Sequence, residues 1–181
     1  MIARLETQSF SCRSCGGRDL APVLALGQTP LANRLLSEDE IGEREPRYPL
    51  DVVYCRACHL VQITETVPPE ELVRDYVYLS LASDEMLEHV ARLVSEVLAS
   101  RKLTADSLVL EIASNDGYLL QYYVRAGIPV LGIEPARNVA EVARTERGIP
   151  TLCEFFDDEL ALRLSQDGKQ ADVIHAHNVL A

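Results

Sequence analysis

The chain has 181 residues, 48% apolar and 25% charged, enough for one domain, or for a small domain and part of a larger one. Its 17 basic and 28 acidic residues leave a net charge of −11, which gives no electrostatic footprint for nucleic acid or an anionic membrane. Apolar runs stay below the roughly 18 residues of a membrane span, and charges at Arg4 and Glu6 leave no apolar signal region, so a cytoplasmic protein is expected.

In that compartment the five cysteines are metal ligands or free thiols, not disulfides. Residues 10–63 are turn-rich, punctuated by Gly16, Gly17, Gly27, Pro30, Gly42, Pro46 and Pro49. Short strands are expected at 23–26, 50–54 and 60–64, with a charged loop over 38–45. Within this stretch lie Cys12-x-x-Cys15 and Cys55-x-x-Cys58, separated by 39 residues. A two-residue gap lets both thiolates of a pair face one ion, and the glycines after Cys15 free backbone N–H groups to turn and bond sulfur. Four thiolates complete a tetrahedron, the closed geometry of a structural zinc site. A redox centre needs only one such pair. His59, beside Cys58, reads as a polar neighbour because four cysteines already suffice. Cys153 reads as a small core or surface residue.

Pro68 and Pro69, followed by Glu70 and Glu71, suit a helix start. An extended segment over 76–80 follows. Ser83 suits an N-cap, with Asp84 and Glu85 in the first turn. Met86, Leu87, Val90, Leu93, Val94, Val97 and Leu98 then form one apolar stripe over 84–100.

From residue 107 strand and helix alternate. Strands are expected at 108–112, 130–133, 150–152 and 172–176, with helices at 117–126, 136–147 and 157–166. Gly127 and Gly148 end two of the helices, and Asp157 caps the third. Repeats of this length imply a parallel sheet. The fold class is therefore α/β: a zinc-binding domain over 10–67, a helical linker over 68–104, and part of a Rossmann-like domain over 105–181. The apolar ending at Val179, Leu180 and Ala181 is expected of a fragment of a longer protein.

The turn after the first strand of the sheet runs Glu111, Ile112, Ala113, Ser114, Asn115, Asp116, Gly117. A dinucleotide site wants three glycines here, so that pyrophosphate can approach the backbone. Only Gly117 is present. An acidic start and polar middle suit a cofactor with an amino-acid end and no pyrophosphate. Glu134, 17 residues after Gly117, can accept both ribose hydroxyls of an adenosine, or stand as a solvated strand-end acid. Phe155 and Phe156 follow the third strand, where an adenine would lie, and can equally pack in the core. His177 and Asn178 end the fourth strand, at the carboxyl edge where open α/β sheets bind ligands.

Taken together, the two cysteine pairs, the stretch from Leu26 to Asn33, Tyr76-Val77-Tyr78 with Ser80 and Ser83, the loop from Glu111 to Gly117 and the run from Asn178 to Ala181 resemble the sugar C-methyltransferase family, over about residues 10–181. The resemblance implies an N-terminal zinc-binding domain and the first half of a class I methyltransferase domain. It implies S-adenosylmethionine as cofactor, held by Glu111, Ala113, Ser114, Asn115, Asp116, Gly117, Glu134, Phe156 and Asn178. Structural Zn2+ would be held by Cys12, Cys15, Cys55 and Cys58. The implied substrate is a nucleotide-linked deoxy keto sugar, methylated on carbon beside the ketone, with no nucleic-acid or membrane partner. Many family members have glycine where this chain has Ala113. The family's base is a histidine following the last motif, beyond Ala181. Tyr76 and Tyr78 are candidates for substrate contact or enolate stabilisation, or for packing at a domain junction. Two rivals are a zinc-ribbon binding module, opposed by the acidic balance and the second domain, and a nicotinamide-dependent oxidoreductase, opposed by the single-glycine turn.

Overall fold

The computed structural model describes residues 10–32, 34–73 and 83–179. Tyr76, Tyr78 and Ser80 lie outside the described residues, as do Asn33, Leu180 and Ala181. The chain divides into two compact units, Met1–Leu72 and Val73–Ala181.

The first unit is built on an antiparallel sheet, β1 (Leu20–Thr29), β2 (Tyr48–Cys55) and β3 (Val61–Ile63), in that order. β1 is longer than the expected 23–26. Its residues Val23, Leu24 and Leu26 are all exposed, so pairing with β2, not burial, sets its extent. The register slips between Pro22 and Leu24 and between Ala25 and Gln28, which is why no clean alternation marks the strand. The charged loop contains a helical turn, Glu38–Glu40, held by a reciprocal capping box between Ser37 and Glu40. Among described residues, the buried apolar side chains of this unit are only Cys12, Val53 and Cys55. A short helix, α1 (Pro69–Val73), starts at the expected prolines, and Glu71 accepts the Tyr48 hydroxyl at 2.6 Å.

The second unit opens with α2 (Asp84–Ser100), whose N-cap Ser83 accepts the Met86 N–H as its sequence foretells. Four parallel strands follow, β4 (Val109–Ile112), β5 (Val130–Ile133), β6 (Thr151–Leu152) and β7 (Val173–Ala176), in the spatial order β6-β5-β4-β7. Helices α3 (Leu120–Arg125), α4 (Arg137–Thr145) and α5 (Asp158–Gln166) alternate with them.

Successive residues of a strand face opposite sides, and the core divides accordingly. Val109 and Val130 pack with Val90, Val94, Leu119, Leu120 and Tyr123. Leu110, Leu131 and Ile133 pack with Leu160 and Leu164 of α5. Asp157 caps α5 by accepting the Leu160 N–H. α3 begins three residues later than the expected 117, because Gly117 has φ +79° and is not helical. Strands β4, β5 and β7 end together at the carboxyl edge, which places Ile112, Ile133 and Ala176 side by side. No helix among the described residues is long and apolar enough to cross a membrane.

Candidate functional site

The four cysteines of the first unit converge. Their sulfur atoms all lie within 4.8 Å of one another, with Cys12 Sγ 3.4 Å from Cys58 Sγ and Cys15 Sγ 3.6 Å from Cys55 Sγ. A tetrahedral zinc with Zn–S bonds of about 2.3 Å puts its sulfurs about 3.8 Å apart, so the donor set fits that ion. Two tight turns build it. Gly16 N–H donates to Cys12 O, Cys12 N–H to Gly17 O, and Gly17 N–H to Cys15 Sγ. A Cβ on Gly17 would stand 3.2 Å from Cys15 Sγ. In the second turn His59 N–H donates to Cys55 O and Cys55 N–H to Leu60 O.

Backbone N–H groups of Cys15 and Ser14 lower the Cys12 thiol to about 6. Cys15 goes the other way: the Gly17 N–H favours its thiolate, but the neighbouring sulfurs of Cys58 and Cys55 push it up to about 12. Sulfurs packed this closely cannot all ionise without a cation among them. His59 stays outside the cluster, with its Nδ1 on the Tyr54 hydroxyl.

A cleft of about 520 Å³ opens at the carboxyl edge of the parallel sheet. Ala113, Asn115, Glu134, Phe156 and Asn178 line it, together with Phe155 and His177. Glu111, Ser114, Asp116 and Gly117 do not form its wall. They build the loop behind it: Glu111, Ser114 and Asp116 are fully buried, and Gly117 abuts Ile149, whose Cγ1 would stand 2.8 Å from an added Cβ. Gly132 makes room for Ser114, since a Cβ there would meet Ser114 Oγ at 2.5 Å.

Glu134 organises this loop. One of its oxygens accepts the Asn115 N–H and the other the Ala136 N–H, both at 2.9 Å. It is 5% exposed, and burial raises its pKa against the pull of those two donors. The remaining loop donors are also spent. Ser114 N–H goes to Ile133 O, Asp116 N–H to Asn115 Oδ1 and Gly117 N–H to Ser114 O. A pyrophosphate would therefore meet no free backbone N–H between 114 and 117, and a carboxylate instead. Ala113, Asn115 and Gly117 all take left-handed backbone conformations, at φ +53°, +50° and +79°.

Behind the cleft lies a buried polar chain. Glu111 closes no hydrogen bond through either carboxylate oxygen, and His177 Nδ1 stands 3.7 Å from its Oε1. Burial pushes Glu111 up to about 7, tempered by His177 and Tyr118. Glu111 in turn raises His177. His175, on β7, stacks on His177 just beyond the strand, with ring centroids 5.6 Å apart and 18° between planes. Its Nε2 meets the Tyr123 hydroxyl at 2.9 Å, and burial holds it down to about 4.

Tyr118 and Met86, to which the sequence gives no role at the site, also line the cleft, as does His177, which the sequence places at the ligand-binding edge. His177 adjoins Asn178 at a strand end, a signal that was available. Met86 is part of the apolar stripe of α2, which gives no hint that its side chain faces the cleft.

Residues 12–72 match the family described as "Putative zinc binding domain". Over 170 residues, 94% of its length, the chain is 34% identical to the C-methyltransferase NovU of Streptomyces niveus. It spans 40% of the length of that relative. Residues 12–72 are thus similar to that zinc-binding family, and nearly the whole chain is similar to part of a C-methyltransferase.

Proposed function

We propose that the protein is a class I, S-adenosylmethionine-dependent C-methyltransferase acting on a nucleotide-linked deoxy keto sugar, with a structural zinc in its N-terminal domain. The observation that carries the cofactor reading is the Glu134-centred loop. It offers carboxylate oxygens, which suit ribose hydroxyl donors, where a dinucleotide would need free N–H groups. The single-glycine turn and the likeness to a C-methyltransferase favour the same choice over a nicotinamide cofactor.

In this reading Asn115 and Glu134 hold the ribose side, Phe156 covers the adenine, and Ala113 and Asn178 bound the amino-acid end. Bound there, S-adenosylmethionine supplies an electrophilic methyl group. The residues around it fix its position and keep water from it, since a transfer of this kind depends on alignment. The acceptor class comes from the family resemblance: a carbon beside a ketone can be made nucleophilic by losing a proton. Cys12, Cys15, Cys55 and Cys58 would hold zinc with all four positions filled, a role in folding and not in chemistry.

Phe156 is 39% exposed, so it can be shortened without opening a core cavity. Phe156→Ala is expected to weaken S-adenosylmethionine binding about 10–100-fold, the size of one lost stacking contact, with an unchanged melting temperature. Calorimetric titration checks it. Unchanged affinity would remove the adenine from this wall.

A further inference from the structure

The four cysteines of the first unit are not equivalent. Cys12 and Cys55 are buried and Cys58 is half-buried, while Cys15 stands on the exposed turn 13–16. Its sulfur accepts the Gly17 N–H at 3.4 Å. Gly17 also lies against that sulfur: an added Cβ would stand 3.2 Å from Cys15 Sγ and 3.9 Å from Cys55 Sγ. With no side chain at 17, nothing from that residue shields the pair. Each sulfur also has a near neighbour in the other turn. Cys15 Sγ lies 3.6 Å from Cys55 Sγ, and Cys12 Sγ lies 3.4 Å from Cys58 Sγ. An exposed thiolate with a second thiolate beside it is the arrangement of an oxidisable cysteine and its resolving partner.

We infer that Cys15 is the site at which a hydroperoxide oxidises this cluster, and that Cys55 is the thiolate that closes a disulfide with it. The inference rests on the zinc reading proposed above. Cys15 attacks the peroxide, its S–O bond forms and the O–O bond breaks. One oxygen stays on sulfur as sulfenic acid, and the other leaves as hydroxide. Cys55 then attacks that sulfur: the S–S bond forms, the S–O bond breaks, and a second hydroxide leaves. Two thiolates are oxidised and one peroxide is reduced, giving one disulfide and two hydroxides. Cys12 and Cys58 then remain as two ligands where a closed zinc site needs four, so the ion is released.

Burial sets the order of events. Cys12 and Cys55 are 2% and 0% exposed, so neither meets the oxidant while the unit is folded, and the first oxygen lands on Cys15. Release of the ion then loosens residues 12–72, whose buried apolar side chains among the described residues are only Cys12, Val53 and Cys55. A second equivalent of peroxide joins Cys12 to Cys58. A reducing dithiol reverses each disulfide by exchange, and added zinc restores the closed site.

The test uses the zinc-loaded full-length protein with hydrogen peroxide as probe, in a Cys153→Ser background that removes the fifth thiol. Zinc release is followed with a colorimetric chelator, and disulfides are mapped by mass spectrometry of non-reduced peptides. Cys15–Cys55 is expected as the first cross-link, formed in step with zinc release and reversed by dithiothreitol. Cys15→His keeps a fourth zinc ligand without a thiol and is expected to release zinc at least about 10-fold more slowly. Gly17→Ala keeps all four thiolates and lays a methyl group against Cys15, so release is expected to slow about 2–10-fold. A first cross-link within either turn, first oxidation at Cys58, or an unchanged release rate in Cys15→His overturns the inference. Where circular dichroism shows Cys15→His unfolded, an unchanged rate in Gly17→Ala overturns it instead. Zinc that is held but not released by peroxide contradicts the inference alone. A full-length protein that holds no zinc contradicts the zinc reading itself, and the inference falls with it.

Discussion

Ala113 and Gly117 bracket the cofactor loop, and each occupies a left-handed backbone conformation. For alanine that conformation costs about 1–2 kcal/mol, while a glycine there adds about 0.4–1 kcal/mol of unfolded-state entropy. Ala113→Gly is therefore expected to stabilise the second unit by about 0.5–1 kcal/mol, measured by chemical denaturation. Gly117→Ala combines the backbone cost with a Cβ placed 2.8 Å from Ile149 Cγ1. It is expected to destabilise by about 2–4 kcal/mol. Equal stability of the two variants would contradict this loop geometry. The sequence marks Gly117 as the turn residue and shows alanine at 113. It does not reveal that Glu134 ties the loop together. Those two hydrogen bonds go to backbone N–H groups of Asn115 and Ala136, and a backbone donor leaves no trace in residue type.

At the scale of elements, local signals were legible where one residue settles the matter. Ser83 and Asp157 cap α2 and α5, each through its own side chain. The parallel sheet was legible from the alternation of strands and helices. β1 extends beyond the span its sequence suggests because its irregular register and exposed faces erase the period-two pattern. The pairing of Glu111 on β4 with His177 beyond β7 depends on which strands are neighbours, and strand order is not written in periodicity.

That pairing has a consequence for stability. Glu111 has its folded pKa raised to about 7 from an ordinary 4.5. The folded state keeps a proton the unfolded state loses, so the stability it contributes is full below about 4.5 and lost as pH rises through 7. His175 has its folded pKa lowered to about 4 from 6.5, so its contribution is present above 6.5 and lost as pH falls toward 4. The two slopes oppose each other between about pH 4.5 and 6.5. These two contributions to the wild-type melting temperature therefore partly cancel there. Glu111→Gln is expected to melt higher than wild type at pH 8, and to lose more stability on acidification than wild type does, because the contribution of Glu111 that opposes His175 is gone. A flat profile in that variant would contradict the buried state of these two groups.

For the whole molecule, the two units rest on different kinds of core. The second has apolar clusters on both faces of its sheet. The first buries little beyond Cys12, Val53 and Cys55 among its described residues, so in the proposed reading zinc would supply much of its folding free energy, as in other small zinc domains. Elemental analysis is expected to find one zinc per chain, lost in the Cys12→Ser, Cys55→Ser double variant together with the structure of residues 12–72. Full zinc retention in that variant would refute the ligand set. This part of the molecule was the most legible, because paired cysteines at a two-residue gap state both the ligand and the local turn. The cleft was legible only as a list of loop residues. Of those, Ala113, Asn115, Glu134, Phe156 and Asn178 reach the wall, and Glu111, Ser114, Asp116 and Gly117 shape it from behind.

We propose that this cleft takes a sulfonium nucleoside and not a dinucleotide. Calorimetric titration of the protein with S-adenosylmethionine and, separately, with NAD tests it most directly. Binding of S-adenosylmethionine at one site per chain, with no heat from NAD, is the predicted result. Tight NAD binding with none for S-adenosylmethionine would contradict it.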